Sequence, residues 1–203
     1  MDQFISALHW RHAVKEFSEK KVPQQEIDHL MEAARLAPSS FNIQPWKIIL
    51  VQDKALLQEL LPVSYNQPQV ATTQDMFVFC ANTDLGDAFD KVIESMKAQG
   101  ATDDQLKIYV DMVRGFIASL SPTQQSEFAQ RQLYIALGVM LSAAALRKID
   151  TAPMEGLDRQ GVARVLGLPK HLIPFAHVAV GYRKEDPTRP KSRLQKEIMY
   201  DIR

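Results

Sequence analysis

Arg11 and Lys15 stand four residues apart in the stretch RHAVKEF, with His12 between them. Lys191 and Arg193 stand two apart in PKSRL, near the other end of the chain. A guanidinium fork and a lysine point charge together suit a phosphate monoester. Either cluster alone reads more readily as solvated surface, and sequence does not reveal whether the two meet. A third stretch, PSSFNIQPW (38–46), holds two hydroxyls, two amides and aromatic bodies between Pro38 and Pro45. Such groups can edge a planar heterocycle, although a turn and helix cap would use the same residues. In the fourth, PMEG (153–156), Gly156 would let backbone amides come close to a ligand, where a plain connecting loop is the alternative.

No side-chain constellation for bond chemistry accompanies these stretches. The eight glycines form neither GxGxxG nor GxxxxGK[ST]. The five histidines show no HExxH and no cysteine partner at zinc spacing, so no metal is expected. His9, His29 and His171 read as surface or cap residues, and His177, inside an apolar strand, as a satisfied core histidine. There is no GxSxG elbow, and the single cysteine, Cys80, sits mid-strand as inert packing. If the chain is an enzyme with no catalytic side chain, a bound cofactor carries the reaction.

The elements that must position these stretches follow from periodicity. Ile27, Leu30, Met31 and Ala34 predict a helix over 23–37, opened by Pro23. WKIILV (46–51) and MFVFCA (76–81) read as buried strands. Helices are expected over 85–97, over 103–120 and from Pro122, behind a Ser121 cap, to about 148. The middle of the last, LYIALGVMLSAAAL, is apolar nearly all round, which calls for burial inside a domain or an oligomer. TAPMEGLD reads as a loop, 159–166 as a short helix, and PFAHVAVGY as the last strand before a basic tail. The fold class expected is α+β, a small mixed sheet packed between helices, with doubly wound α/β second.

With 203 residues, 46% of them apolar, the chain can bury a substantial core, and one domain over 1–203 is expected. Basic and acidic side chains number 24 each, so nothing pulls the whole chain toward nucleic acid or an anionic membrane. Any anion site must be local. A lone cysteine, no secretory pattern and no membrane-length apolar run make the cytoplasm the expected compartment.

RHAVKEF, APSSFNIQPWKIILV, PMEGLD and PKSRL together resemble the FMN-dependent nitroreductase family. The branch they resemble is that of the oxygen-insensitive NAD(P)H nitroreductases, which overlap with dihydropteridine reductases. The resemblance runs from about residue 4 to 194 and is weak over 84–130. It implies an intertwined homodimer with two FMN sites at the subunit interface, and residues 184–203 as an extension wrapping the partner. Arg11, His12, Ala13 and Lys15 match positions around the ribityl phosphate and the pyrimidine edge. Lys191 and Arg193 match the phosphate pair, and Pro38, Ser39, Ser40 and Asn42 the loop that the second subunit lends. Pro153, Met154, Glu155 and Gly156 match the loop over one flavin face, where a backbone N–H at Glu155 or Gly156 would reach N5. Asn66 matches an amide near the pyrimidine ring.

Two positions depart from the pattern. Ala13 replaces a common serine, and Gln69 a lysine frequent in that branch. Phe116 is a candidate for the acceptor-pocket wall and equally for core packing. The activity implied is two-electron, ping-pong transfer from NADH or NADPH to a nitroaromatic or quinone-type acceptor. The alternatives are a flavin, dihydropteridine or enoate reductase of the same fold, a non-catalytic FMN-binding dimer, or a helical interaction protein.

Overall fold

The computed structural model describes residues 2–203. Helix α1 (Gln3–Trp10) is capped by the Asp2 carboxylate, and α2 (Gln24–Arg35) follows Pro23. A single 3-10 turn at Ser40–Asn42 leads to strand β1 (Trp46–Val51). Next come α3 (Lys54–Val63), α4 (Pro68–Thr72) and β2 (Asp75–Asn82). Helices α5 (Leu85–Ala98), α6 (Asp103–Ser119) and α7 (Pro122–Leu146) succeed one another. The chain continues through β3 (Asp150–Met154), α8 (Arg159–Val165) and β4 (Leu172–Gly181), and α9 (Lys196–Met199) lies in the tail. Ser121 and Gln124 form a reciprocal capping box at the start of α7, so the predicted helix start is a satisfied one.

The sheet has the order β1-β2-β4-β3. It was expected to be mixed, but its three ladders are all antiparallel, and among the described residues the one parallel pairing is a lone bridge between Ala13 and Thr151. The reason lies between β1 and β2. A single crossover helix would return the chain to the opposite end of the sheet and make the pair parallel. Here α3 runs out, the backbone reverses at Tyr65 and Asn66, and α4 runs back, so Val51 ends opposite Met76. Strand β3 replaces part of the predicted loop. Pro153 removes a ladder donor, which an edge strand such as β3 tolerates.

The central strands β2 and β4 are buried on both faces. Phe77, Phe79 and Val178 pack with Leu30, Phe89, Leu133 and Met140 on one side. Met76, Val78, Cys80 and Ala179 pack with Leu57, Leu60 and Val162 on the other. Burial pushes the Cys80 thiol up to about 12, so it carries almost no thiolate at neutral pH. Phe116 stacks between Phe41 and Phe128 at centroid distances of 4.9 and 5.3 Å, which makes it packing. Helix α7 is not covered all round: Ile135 and Leu146 stay exposed beside Phe4 and Ile5 of α1. Among the described residues, no helix is long and apolar enough to cross a membrane.

Candidate flavin site along the edge strand

The two basic clusters meet. Lys191 donates its ammonium to the Leu8 and Arg11 carbonyls, at the C-terminal end of α1 where a cation is favoured. Arg11 is half-buried, its Nη1 has no partner, and burial together with Arg193 pushes its pKa down. Burial, Arg11 and Arg193 act on Lys191 in the same direction. Arg193 donates only to the neighbouring Ser192 carbonyl, at 2.6 Å. Three cations are therefore crowded at the end of α1 against their own repulsion, and none of them is in an ion pair among the described residues. An anion would relieve that arrangement.

From this cluster the chain passes directly to β3. Ala13 bridges Thr151; β3 ends at Met154, and Glu155 and Gly156 follow it, four and five residues beyond Thr151 and at most about 17 Å away at the strand rise. His12 directs Nδ1 to the Trp10 carbonyl at 2.9 Å. His12, Ala13 and Lys15 line a groove of about 680 Å3 whose other wall is residues 184–190. Pro153 is half-buried and Met154 buried, whereas Glu155 and Gly156 are exposed. Asn66 comes to the same place from the other direction: residues 64–67 pack on the Gly156 loop, and Asp158 N–H donates to the Val63 carbonyl at 2.8 Å.

Among the described residues, the buried side-chain atoms without a hydrogen-bond partner lie along or beside this edge. They are Arg11 Nη1, Thr151 Oγ1 on β3, His177 Nε2 opposite Met154, Gln69 Oε1 and Tyr134 Oη. Gln69 bonds Gln67, whose amide reaches Gly156. The Tyr134 hydroxyl is pushed up to about 12 by burial and then by the nearby Glu155 carboxylate. Unsatisfied buried groups are rare in native structures, and their concentration on one edge marks a place that a ligand or water completes.

The Pro38–Asn42 loop is elsewhere. It precedes Trp46, which pairs with Ala81 at the end of β2, while Thr151 pairs with Val180, opposite the start of β2. The loop and the cation cluster thus occupy opposite corners of the sheet, and one chain does not bring them together. Ser39 Oγ accepts from Gln44 N–H, Ser40 N–H donates to Gln132 Oε1, and Asn42 Oδ1 accepts from Gln44, at 2.9, 2.9 and 3.0 Å. Of the six described non-glycine residues with left-handed backbone, five belong to the two candidate loops: Phe41, Asn42, Gln44, Tyr65 and Asn66. Such conformations cost energy and collect at functional sites.

A model of the Nitroreductase family matches residues 8–182, most of the chain. The chain belongs to the nitroreductase family. A Staphylococcus aureus relative with the provisional name NAD(P)H nitroreductase is 32% identical, over 95% of this chain and 92% of its own. A Staphylococcus epidermidis structure, described provisionally as an NAD(P)H:FMN oxidoreductase, superposes with TM-score 0.90 at 23% identity, over 100% of this chain and 96% of that one. A nitroreductase-type structure from Exiguobacterium sibiricum, in complex with FMN, superposes with TM-score 0.89 at 20% identity, over 100% and 98%. At these identities the two structures establish that this nitroreductase shares their α+β fold.

In this nitroreductase, sequence reasoning passed over Tyr65, Gln67 and Gln132. Each acts through contacts distant in sequence, such as Gln132 on Ser40, 92 positions away. His177 is only half satisfied: Nδ1 lies 3.2 Å from Ser64 Oγ and Nε2 has no partner. Burial pushes its pKa down to about 4, below the ordinary value of about 6.5 of the unfolded chain. The neutral form is favoured on folding, so this contribution is complete above about pH 6.5 and is lost as pH falls toward about 4. Between pH 7 and 5 the native protein should lose about 2 kcal/mol through this group. Urea titrations at both pH values check it: His177→Gln should show a correspondingly smaller loss, and an equal loss would refute the assignment.

Proposed function

We propose that this nitroreductase is an FMN-dependent NAD(P)H oxidoreductase that works as a homodimer. The observation that carries the reading is the uncompensated triad Arg11, Lys191 and Arg193, set at one end of an edge whose buried polar atoms lack partners. Bound FMN would supply two-electron chemistry, taken from NADH or NADPH and passed in ping-pong order to a nitroaromatic or quinone-type acceptor.

The chain's own part is binding and electrostatics. Arg11, Lys191 and Arg193 hold the phosphate, with Ala13 offering no hydroxyl there. Pro153 and Met154 supply apolar body beside the ring, and an N–H of Glu155 or Gly156 donates to it. His12, Lys15 and Asn66 serve the pyrimidine side, where fixed positive charge and amides stabilise developing negative charge. Cys80 and His177, both buried, take no part in proton transfer. The partner subunit supplies its Pro38, Ser39, Ser40 and Asn42, which supports the dimer because a single chain keeps that loop at the opposite corner. The exposed apolar residues of α1 and α7, and Leu194, Ile198, Met199 and Tyr200 in the tail, fit a partner that residues 184–203 wrap.

An anaerobic titration tests this reading. Purified protein should be yellow or take up added FMN, lose the flavin colour on mixing with NADH or NADPH, and regain it with a nitroaromatic or quinone. It should sediment as a dimer at micromolar concentration. A colourless protein that takes up no FMN would sink the proposal, and a bound flavin that neither donor bleaches would leave a non-catalytic binding dimer.

A further inference from the structure

Gly156 lies outside the strands, is exposed, and its N–H makes no hydrogen bond among the described residues. That N–H belongs to the residue type with the widest backbone freedom, so something must fix its direction if it is to donate to a ligand. Gln67 restrains the glycine from the neighbouring loop, through its carbonyl side. Its Nε2 donates to the Gly156 carbonyl at 2.7 Å and to the Ser64 carbonyl at 3.1 Å, which uses both amide hydrogens. Its Oε1 accepts from Gln69 Nε2 at 3.1 Å. Ser64 is itself buried and held by His177, so the far end of the clamp is anchored in the core. A Cβ on Gly156 would sit 3.4 Å from Gln67 Nε2 and 3.7 Å from Tyr65 Cδ2, so the two loops are already in contact.

We propose that Gln67 is a positioning residue: its carboxamide clamps the Gly156 carbonyl and restrains the glycine from one side, Met154, paired opposite His177, fixes the chain from the other, and together they keep the free Gly156 N–H where it can donate to the flavin. This rests on the FMN reading above and adds to it a residue that touches the cofactor's donor rather than the cofactor.

Two variants test the clamp. Gln67→Met keeps length and volume but removes both donor hydrogens. Gln67→Glu keeps the shape of the side chain and sets an acceptor oxygen, in place of the donor, against the Gly156 carbonyl. In each, the rate of flavin reduction at saturating NADH or NADPH should fall about tenfold, the size of one lost hydrogen bond. FMN affinity, read by fluorescence titration, and the donor's half-saturating concentration should stay within about threefold, and the visible band of bound FMN should shift. A merely structural role would instead lower the melting temperature and FMN affinity together and leave the saturated rate of the loaded protein unchanged. That pattern, or unchanged rates and spectra in both variants, overturns the clamp while the FMN reading stands. If Gln67→Met does not fold, Gln67→Glu decides. A wild-type protein that takes up no FMN removes both readings.

Discussion

Arg11→Ala is expected to weaken FMN binding about a hundredfold while leaving riboflavin, which lacks the phosphate, bound as before. A hydrogen bond to a charged group contributes about 1.5–3 kcal/mol, and the upper part of that range corresponds to this factor. The three cations are not equivalent, and their differences make the test discriminating. Lys191 also holds the Leu8 and Arg11 carbonyls at the end of α1, so Lys191→Ala should lose stability as well as FMN. Arg193 is exposed and bonds only its own neighbour, so Arg193→Ala should lose about tenfold in FMN affinity with the melting temperature unchanged. Without ligand, removing Arg11 also relieves repulsion, so the apo form of Arg11→Ala should be no less stable than wild type at low salt. An unchanged preference for FMN over riboflavin in all three variants would show that the cluster does not read the phosphate.

The sequence made the long periodic elements legible and the short or irregular ones much less so. Strand β1 falls on the residues that WKIILV marked, and α5, α6 and α7 end within about two residues of their predicted limits, because apolar periodicity, Ser121 and Pro122 act locally. Strand β3 was missed because it has five residues and carries Pro153, and only its place at the sheet edge makes that proline harmless. The site divides in the same way. Arg11, Lys15, Lys191 and Arg193 were visible as charge, but the meeting of Arg11 with Lys191 and Arg193 depends on a tail that returns 180 positions later to the end of α1. Gln67 was invisible because its partner, Gly156, is 89 positions away and nothing local distinguishes it from a surface glutamine. Tyr65 and Asn66 share left-handed backbone, which asparagine tolerates and tyrosine does not advertise.

Asp150→Ala is expected to cost about 3–5 kcal/mol of folding stability, the second large effect. Asp150 is buried at the start of β3 and accepts from Arg183 through N–H, Nε and Nη2, at 2.9, 2.9 and 2.6 Å. The Arg183 side chain is itself only 14% exposed, and its guanidinium lies 4.5 Å from the centre of the Trp10 ring. Removing the carboxylate leaves that charge, in a place water barely reaches, with only the exposed Asp186, 3.3 Å from Nη1. Removing both charges is a different matter: Asp150→Leu with Arg183→Met should recover most of the loss, since a buried pair is often no better than packed hydrocarbon. Urea unfolding of the single and double variants, with the slope unchanged, reads the difference. A loss under about 1 kcal/mol in Asp150→Ala would mean that the pair is effectively solvated. The pair also touches the site, because Trp10 immediately precedes Arg11 and Lys184 N–H donates to the Glu16 carbonyl at 3.1 Å as the tail departs. If the double variant regains stability but not FMN affinity, then Asp150 and Arg183 serve to place Arg11, and the net stability of the pair is secondary to where it holds the end of α1.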